Sequence, residues 1–211
     1  PDYVTSLENV AQIEIGSDNY PHGCAILNNR HVKCWGNNHF GHLGNGLESV
    51  GQVNHHSDTP VDVGNLNDAA FLALGPRHNC ASTVSGNVKC WGNNQASQLG
   101  ITPWNASQAI QNTTTTPSEN GISNVTQVCS GSDFSCGRRT DGQVVCWGNG
   151  WNDSYWPVLG GSNIYGNRDN DYNSKTNTSF VTGLGNITKV TCGYDHVCAL
   201  TQEGTVYCWG K

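Results

Sequence analysis

The sequence of 211 residues predicts an all-β protein built from repeated units. Two observations support this class. Short runs of Val, Cys, Trp and Tyr alternate with polar residues between abundant glycines, and long helical periods are absent. The tripeptide Cys-Trp-Gly also occurs four times at nearly even spacing, at 34–36, 90–92, 146–148 and 208–210.

Each tripeptide belongs to a longer unit with four short strand signals. A strand that ends in Gly is followed by a turn, a hairpin whose second arm carries the tripeptide, a long connection and a further short strand. The units span approximately 10–63, 69–120, 124–184 and 186–211. Repeats of about 50 to 60 residues with four strands each are typical of propeller blades. The sequence therefore predicts a single β-propeller domain over 1–211, with about four blades of four antiparallel strands.

The order of strands along the chain predicts how the ring closes. The last unit ends at its tripeptide and lacks a fourth strand, whereas the strand at 2–7 precedes the first unit. We expect the strand 2–7 to supply the outer strand of the fourth blade, which is a common closure in propellers. The alternative is that the 211 residues are part of a longer chain.

The repeat has a recognisable signature of a Gly, H-x-C/A-A-L, x-x-G-x-V-x-x-W-G and N-x-x-G-x-L-G. The residues that match it are His196, Ala199, Leu200, Gly204, Val206, Trp209 and Gly210 in the fourth unit, and Gly41, Leu43 and Gly44 in the first. The unit resembles the repeat of the regulator-of-chromosome-condensation family. This resemblance implies a β-propeller, often of seven blades, but not the chromatin function, because one fold hosts many functions.

Eight of the ten cysteines form four pairs with one spacing, which predicts a disulfide across each hairpin. A three-residue loop that ends in Gly204 places residue 198 opposite residue 208, with Cα atoms about 4.5–5.5 Å apart. The predicted pairs are Cys24–Cys34, Cys80–Cys90, Cys136–Cys146 and Cys198–Cys208. In the first hairpin Arg30 stands where Gly is expected, so that turn is either distorted or sterically costly.

The remaining cysteines are predicted to join two blades. Cys129 lies two residues before Gly131, and Cys192 lies one residue before Gly193. Because strand side chains alternate between faces, these two cysteines point to opposite sides of their blades, as an inter-blade disulfide requires. The Trp of each tripeptide points away from its Cys. We expect the four Trp side chains to fill the wedges between blades; ligand stacking is the alternative.

Six asparagines stand in N-glycosylation triplets, namely Asn105, Asn112, Asn124, Asn152, Asn177 and Asn186. All lie between residues 105 and 186, mostly in long connections. The disulfides and these acceptors together predict an extracellular or cell-surface glycoprotein, because disulfides persist in oxidising compartments.

The long connection after the third tripeptide holds the remaining candidate side chains. Trp151, Tyr155, Trp156, Tyr165 and Tyr172 are candidates for a contact patch with protein or sugar, or for packing of the loop on its own blade. Asp169, Asp171 and Asn173 have the spacing of calcium ligands, but Ser174 and Phe180 replace the Gly and Glu that the pattern requires. His39/His42 and His55/His56 are predicted to be surface histidines. We therefore predict no metal site.

Composition and motifs narrow the function to non-catalytic binding. The net charge of −6 argues against a nucleic-acid partner, and no apolar run is long enough for membrane insertion. The sequence contains no G-x-S-x-G, H-E-x-x-H or P-loop, so we predict neither an enzyme nor a cofactor. The first hypothesis is a protein-interaction or structural module that binds protein, including copies of itself in a cell-surface or filament structure. The alternatives are a secreted enzyme inhibitor, a receptor-ectodomain-type ligand binder and a lectin.

Overall fold

The described part of the chain folds into short antiparallel strands. In the computed structural model, the described residues are 4, 6–16, 19–47, 56–101, 113–148 and 179–211. The Gly-bounded runs form strands because their alternating side chains can cover both faces of a sheet. No helix in these ranges has the length and apolarity needed to span a membrane.

The strands form four sheets, and neighbours in each sheet are antiparallel. Sheet 1 contains β1 (Val10–Gly16), β2 (His22–Leu27), β3 (Val32–Gly36) and β4 (Ser57–Asp62). Sheet 2 contains β5 (Ala69–Leu74), β6 (His78–Thr83), β7 (Val88–Asn93) and β8 (Thr113–Glu119). Sheet 3 contains β9 (Val125–Ser130), β10 (Phe134–Arg139), β11 (Val144–Gly148) and β12 (Ser179–Phe180). Sheet 4 contains β13 (Ile187–Cys192), β14 (His196–Thr201) and β15 (Val206–Gly210), so the described residues give it three strands.

The hydrophobic core lies between consecutive sheets, in three clusters. Sheets 1 and 2 enclose a cluster that includes Ile26, Val32, Leu43, Leu72 and Trp91. Sheets 2 and 3 enclose Val88, Leu99, Val128 and Trp147, and sheets 3 and 4 enclose Phe134, Val144, Ile187 and Val190. Trp91 and Trp147 are fully buried in these clusters, which agrees with the architectural role predicted for the tripeptide tryptophans.

Sheets 1 and 4 form the two ends of this stack. Among the described residues, no hydrophobic cluster joins sheet 4 to sheet 1 as the three clusters join consecutive sheets. Residues 1–3 and 5 of the predicted closing strand lie outside the described residues. Closure of a ring by the strand 2–7 and the number of blades therefore stay predictions.

The four hairpins that carry the disulfides share one turn geometry. The third loop residue has a left-handed backbone in each, with φ of 70° at Arg30, 83° at Gly86, 76° at Gly142 and 84° at Gly204. The amide of Arg30 donates a hydrogen bond of 2.8 Å to the Leu27 carbonyl, as the amide of Gly86 does to Thr83 at 2.9 Å. The first turn is therefore not distorted, and Arg30 bears the steric cost that glycine avoids.

Replacement of Arg30 with Gly is expected to stabilise the protein. The left-handed conformation costs an L-residue about 1–2 kcal/mol, and part of that gain is lost because glycine is more flexible in the unfolded chain. We expect R30G to raise the free energy of unfolding in urea by about 0.5–1 kcal/mol. The control is N29G at the neighbouring exposed residue, where φ is not positive and no gain is expected. An unchanged or lower stability for R30G would contradict the assignment of strain.

Candidate functional site

The structure joins the ten cysteines in five disulfides, with the pairings expected from the sequence. The four hairpin disulfides link residues ten positions apart, and their Cα atoms lie 4.0, 4.1, 4.0 and 4.1 Å apart. These distances lie below the expected range, nearest to its lower limit, which is the spacing of non-hydrogen-bonded pairs in an antiparallel ladder. Each hairpin is thus fixed in register at its centre.

The fifth disulfide joins sheet 3 to sheet 4. Cys129 and Cys192 are 63 residues apart in sequence, and their Cα atoms lie 5.4 Å apart. Cys129 also lies directly opposite Cys136 on the next strand of sheet 3. The sulfur atoms of Cys129, Cys136 and Cys192 consequently lie within 4.8 Å of one another. All three are oxidised, and disulfide sulfur lacks the thiolate charge that binds metals, so this cluster is a pair of adjacent bridges.

A row of rings connects each sheet to the next at the start of its second strand. His22 Nε2 lies 2.8 Å from Asn79 Oδ1, and His78 Nε2 lies 2.7 Å from the Ser135 hydroxyl. In sheet 3 the same position is Phe134, which belongs to one apolar cluster with Val197. The two polar rings thus contact polar side chains, and the apolar ring packs with an apolar one. This matching is expected because buried polar groups need hydrogen-bond partners.

Each ring of this row lies over a glycine that ends the preceding strand or directly follows it. A Cβ atom added at Gly16, Gly131 or Gly193 would overlap the ring of His22, Phe134 or His196, respectively. At Gly75 the added Cβ would lie 3.0 Å from Cε1 of His78 and 2.7 Å from the Gly131 carbonyl. The closing glycine of each first strand is therefore required by the ring that follows it.

The loop after β3 covers the first ring pair. Its His42 carbonyl accepts hydrogen bonds of 2.8 Å from both Asn79 Nδ2 and Trp91 Nε1 of sheet 2. The His42 ring stacks on His22 with a centroid distance of 4.3 Å and is buried. The prediction that His42 is a surface residue was therefore wrong. His39, in contrast, is exposed and stacks on Tyr20 at 4.9 Å, so the predicted pair His39/His42 is divided between two environments.

Burial shifts the pKa of these histidines downward. Burial lowers the pKa of His78 to about 3, with a smaller contribution from the charge of His22. Burial also lowers the pKa of His22, and it holds the pKa of His42 well below 6.5, assisted by repulsion from His22, His78 and His39. The three rings are accordingly neutral at physiological pH.

A carboxyl group with an altered pKa lies in the turn before β10. Burial raises the pKa of Asp133, the charge of Arg77 opposes this shift, and the charge of Asp195 adds to it. Gln98 Nε2 lies 3.5 Å from Asp133 Oδ1, and the Ser132 hydroxyl donates to Asp195 Oδ1 at 2.9 Å. These contacts tie the turns of sheets 3 and 4 to the loop after β7, and the sequence motifs did not indicate them.

Two of the six glycosylation triplets lie in the described residues, at the same place in consecutive sheets. Asn124 and Asn186 are exposed, have left-handed backbones with φ of 61° and 54°, and directly precede β9 and β13. Their carbonyls accept hydrogen bonds from the amides of Thr140 and Gln202, both at 2.9 Å or less. The exposure of both residues is compatible with glycosylation.

The other sequence candidates lie mostly outside the described residues. These are the acceptors Asn105, Asn112, Asn152 and Asn177, the aromatic residues Trp151, Tyr155, Trp156, Tyr165 and Tyr172, the acidic triplet Asp169, Asp171 and Asn173, and His55. His56 is described and exposed, and its Nε2 lies 3.9 Å from Asp58 Oδ1. The proposed contact patch therefore stays a prediction.

Comparison with known proteins agrees with the repeat and the sheet stack. The family model described as Regulator of chromosome condensation (RCC1) repeat matches residues 70–98, 125–154 and 187–211. These segments make up fewer than half of the 211 residues, and they show that units of this chain are similar to RCC1 repeats. Protein pim1 of Schizosaccharomyces pombe is 27% identical over 213 residues, which cover 97% of this chain and 38% of pim1. In this chain, the segments that match the repeat carry four of the five disulfides.

Solved structures share the fold of these RCC1 repeats. Human WBSCR16 matches with a TM-score of 0.70 and 23% identity over 96% of this chain and 48% of its own. Prp20p from Saccharomyces cerevisiae matches with a TM-score of 0.68 and 21% identity over 96% and 43%. The ectodomain of the Physcomitrella patens receptor kinase CR4 matches with a TM-score of 0.51 and 24% identity over 90% and 38%. The sheets are thus propeller-type repeats, and the chain spans less than half the length of each of these proteins.

The glycine beneath each ring generates a stability prediction. Because the added methyl group would displace the buried Phe134 ring, we expect G131A to lower the free energy of unfolding by about 1–3 kcal/mol. The control is G185A, where an added Cβ meets no atom within 4 Å and φ is not in the left-handed region. That variant is expected to be neutral or stabilised by up to about 1 kcal/mol. Equal stabilities in urea titrations would contradict the packing role of Gly131.

The buried histidine row generates a pH prediction. The pKa of His78 is about 3 in the folded protein and 6.5 in the unfolded chain, so the unfolded chain binds its proton first as the pH falls. The contribution of His78 to the free energy of unfolding is therefore complete above pH 6.5 and decreases by about 1.4 kcal/mol per pH unit between pH 6.5 and about 3.

The double variant H78F/S135V reproduces the Phe134–Val197 pair at the junction of sheets 2 and 3. Because it lacks the His78 proton, we expect the free energy of unfolding to fall less steeply with decreasing pH, by the contribution of one proton. The free energy of unfolding in urea at a series of pH values measures it, with disulfides intact. The control is H31Q, because His31 is exposed and its replacement is expected to leave the slope unchanged. A double variant with the parental slope would show that His78 does not contribute.

Proposed function

We propose that this protein is a non-catalytic extracellular glycoprotein that serves as a protein-interaction or structural module, with copies of itself among its partners. The observation that carries this proposal is the oxidation of all ten cysteines, five bridges in a small repeat domain. Such a density of disulfides persists in secreted and cell-surface proteins and is rare in the cytosol. The framework supports a rigid ring segment that presents its loops to other molecules.

The relatives support binding rather than catalysis. Prp20p is described with binding properties to Gsp1p and histones, so a fold of this type can present a protein-binding surface. We do not propose histones as the partner of this chain. Its net charge is −6, and its oxidised cysteines favour a location outside the nucleus. The partner we propose is instead an extracellular protein.

A second candidate, a receptor-ectodomain-type ligand binder, is favoured by one observation. The CR4 match is to the entire ectodomain of a receptor kinase, which shows that this fold occurs in an extracellular setting. A secreted inhibitor or a lectin would use the same scaffold through one loop face. Binding to a single enzyme, or to a glycan array, separates these alternatives from self-association.

The extracellular proposal generates a glycosylation test. When the chain is expressed through a eukaryotic secretory pathway, we expect glycans on Asn124 and Asn186, measured as mass lost on enzymatic deglycosylation. The variants T126V and T188V keep the asparagines and the side-chain shape but destroy the triplets, so each is expected to lose one glycan.

Sheet 1 offers a matched control for that test. Asn9 has the same left-handed backbone, with φ of 57°, but is followed by Val10 and Ala11 and forms no triplet. The exposed Ala11 can be changed to Thr, and A11T is expected to gain one glycan. Absence of any glycan in the secreted chain, or free thiols in the unreduced protein, would overturn the extracellular assignment.

A further inference from the structure

The hairpin disulfide of sheet 3 has a third cysteine beside it. Cys136 in β10 (Phe134–Arg139) lies directly opposite Cys146 on one neighbouring strand and directly opposite Cys129 on the other. Its own bond goes to Cys146, whereas Cys129 is bonded to Cys192 of sheet 4. Cys136 therefore has two cysteine neighbours in register and is bonded to one of them.

The other three sheets offer their hairpin cysteines one partner only. The residue that occupies the place of Cys129, opposite the first hairpin cysteine, is Glu14 in sheet 1, Ala73 in sheet 2 and Thr191 in sheet 4. Their side chains contain no sulfur, and the hairpin bridge forms in each of these sheets without it. The extra cysteine of sheet 3 is thus not needed to form a hairpin.

The geometry of sheet 3 permits a bond between Cys129 and Cys136. The sulfur atoms of Cys129, Cys136 and Cys192 all lie within 4.8 Å of one another. Directly opposed residues of antiparallel strands have Cα atoms about 4.5–5.5 Å apart, which is within the range of about 4.4–6.8 Å that a disulfide spans. The bond can therefore form by side-chain movement, with the strand register unchanged.

The bridge between sheets 3 and 4 is accessible from one side. Cys192 is partly exposed, whereas Cys129, Cys136 and Cys146 are buried. Cys192 is the last residue of β13 (Ile187–Cys192), and through its bond to Cys129 it faces sheet 3 rather than the outer face of sheet 4. Exposed disulfides are the ones that exchange with thiols. A dissolved thiol therefore reaches this bridge at Cys192.

We propose that Cys192 is a thiol-exchange site for a small thiol of the glutathione class, and that this exchange moves the bridge of Cys129 from Cys192 to Cys136. A small thiol is the reagent that fits, because Cys192 is only partly exposed at the junction of two sheets. The proposal goes beyond the interaction function and does not depend on which partner the protein binds.

The exchange takes place in two steps. In the first, the thiolate of the small molecule attacks the Cys192 sulfur, the new mixed disulfide forms, the Cys129–Cys192 bond breaks, and Cys129 leaves as a thiolate. In the second, the Cys129 thiolate attacks the Cys136 sulfur, the Cys129–Cys136 bond forms, the Cys136–Cys146 bond breaks, and Cys146 leaves as a thiolate. The proton released by the small thiol is returned to Cys146 through solvent. Two disulfides are present before and after, so no oxidant is required.

The exchange changes how sheet 4 is held. Cys129–Cys192 joins residues 63 positions apart across the junction, whereas Cys129–Cys136 lies within sheet 3. After the second step Cys129 is no longer available to restore the link between the sheets. Sheet 4 is then attached by non-covalent contacts, which include the apolar cluster and the hydrogen bond of 3.0 Å from the Val190 amide to Gln127. The site is therefore a thiol-dependent switch of an inter-sheet link.

The first test is disulfide mapping of the full chain after treatment with reduced glutathione. The reaction is stopped with acid, thiols are labelled with N-ethylmaleimide in denaturant, and peptides are analysed by mass spectrometry without reduction. We expect glutathione on Cys192, a linked peptide pair that contains Cys129 and Cys136, and maleimide on Cys146. Amides of β13 are expected to exchange hydrogen faster in the treated chain.

The bridge Cys198–Cys208 is an internal control for this experiment. It is also accessible, because Cys208 is exposed, but Thr191 stands where a third cysteine would be needed. We therefore expect glutathione or maleimide on its two cysteines and no new pairing with another cysteine of the chain.

The variant C192S tests the second step without added thiol, because it leaves a free Cys129 beside the bridge Cys136–Cys146. We expect the free thiol to distribute between Cys129 and Cys146 as the disulfide exchanges. The matched control is C129S/C192S, which also lacks the inter-sheet bridge but has no sulfur to attack Cys136. It is expected to keep Cys136–Cys146 with no free thiol, and its circular dichroism shows whether the fold survives loss of the bridge.

Three results would overturn the proposal. One is a treated chain without glutathione on Cys192 when Cys198–Cys208 has reacted. Another is glutathione on Cys192 with maleimide on Cys129 and an intact Cys136–Cys146 bridge. The third is C192S with its free thiol confined to Cys129. Free thiols in the untreated parental chain would instead contradict the extracellular proposal, and the position of the thiol in C192S reports on the exchange alone.

Discussion

A sheet of three or four strands cannot bury either of its faces alone, and this constraint organises the molecule. Sheets 2 and 3 each share one apolar cluster with the sheet before and another with the sheet after, so their stability depends on both neighbours. At each of the three junctions lie the valine and the hairpin disulfide of one sheet and the tryptophan of the next, and these groups lose exposed area only when sheets stack. Because the junctions join unlike faces, the stack has a direction, and its two ends present different surfaces.

The parts of the structure that depend on local geometry could be predicted from the sequence. The spacing of Cys198 and Cys208 and the Gly204 turn determine the hairpin register, and the opposite parity of Cys129 and Cys192 indicates a bridge between sheets. The hydrogen bond from His22 to Asn79 could not be predicted, because it depends on how two sheets align across 57 residues. The sequence contains one signal of that contact: where the other units have a polar ring and a polar partner, the next pair of units has the apolar residues Phe134 and Val197 together.

The disulfides contribute in two ways that differ in their physical origin. A bridge over ten residues restricts little of the unfolded chain, whereas Cys129–Cys192 closes a loop of 63 residues; the entropy model gives about 3 and about 4 kcal/mol, respectively. The hairpin bridges also serve as apolar core, since Cys24, Cys80 and Cys136 are fully buried under the next sheet. Among the hairpin bridges, only Cys198–Cys208 of sheet 4 has no sheet packed over it in the described residues, and it is partly exposed.

The ring row shows that the three junctions between consecutive sheets differ in chemistry. His22 and His78 each find a side-chain partner on the next sheet, at Asn79 and Ser135. The third junction instead places Phe134 and Val197 in one apolar cluster. Each buried polar pair contributes about 0.5–1.5 kcal/mol, and a partner that is left unpaired in the interior costs more than that. A change of one member of such a pair therefore requires a matching change of the other, as at Phe134 and Val197.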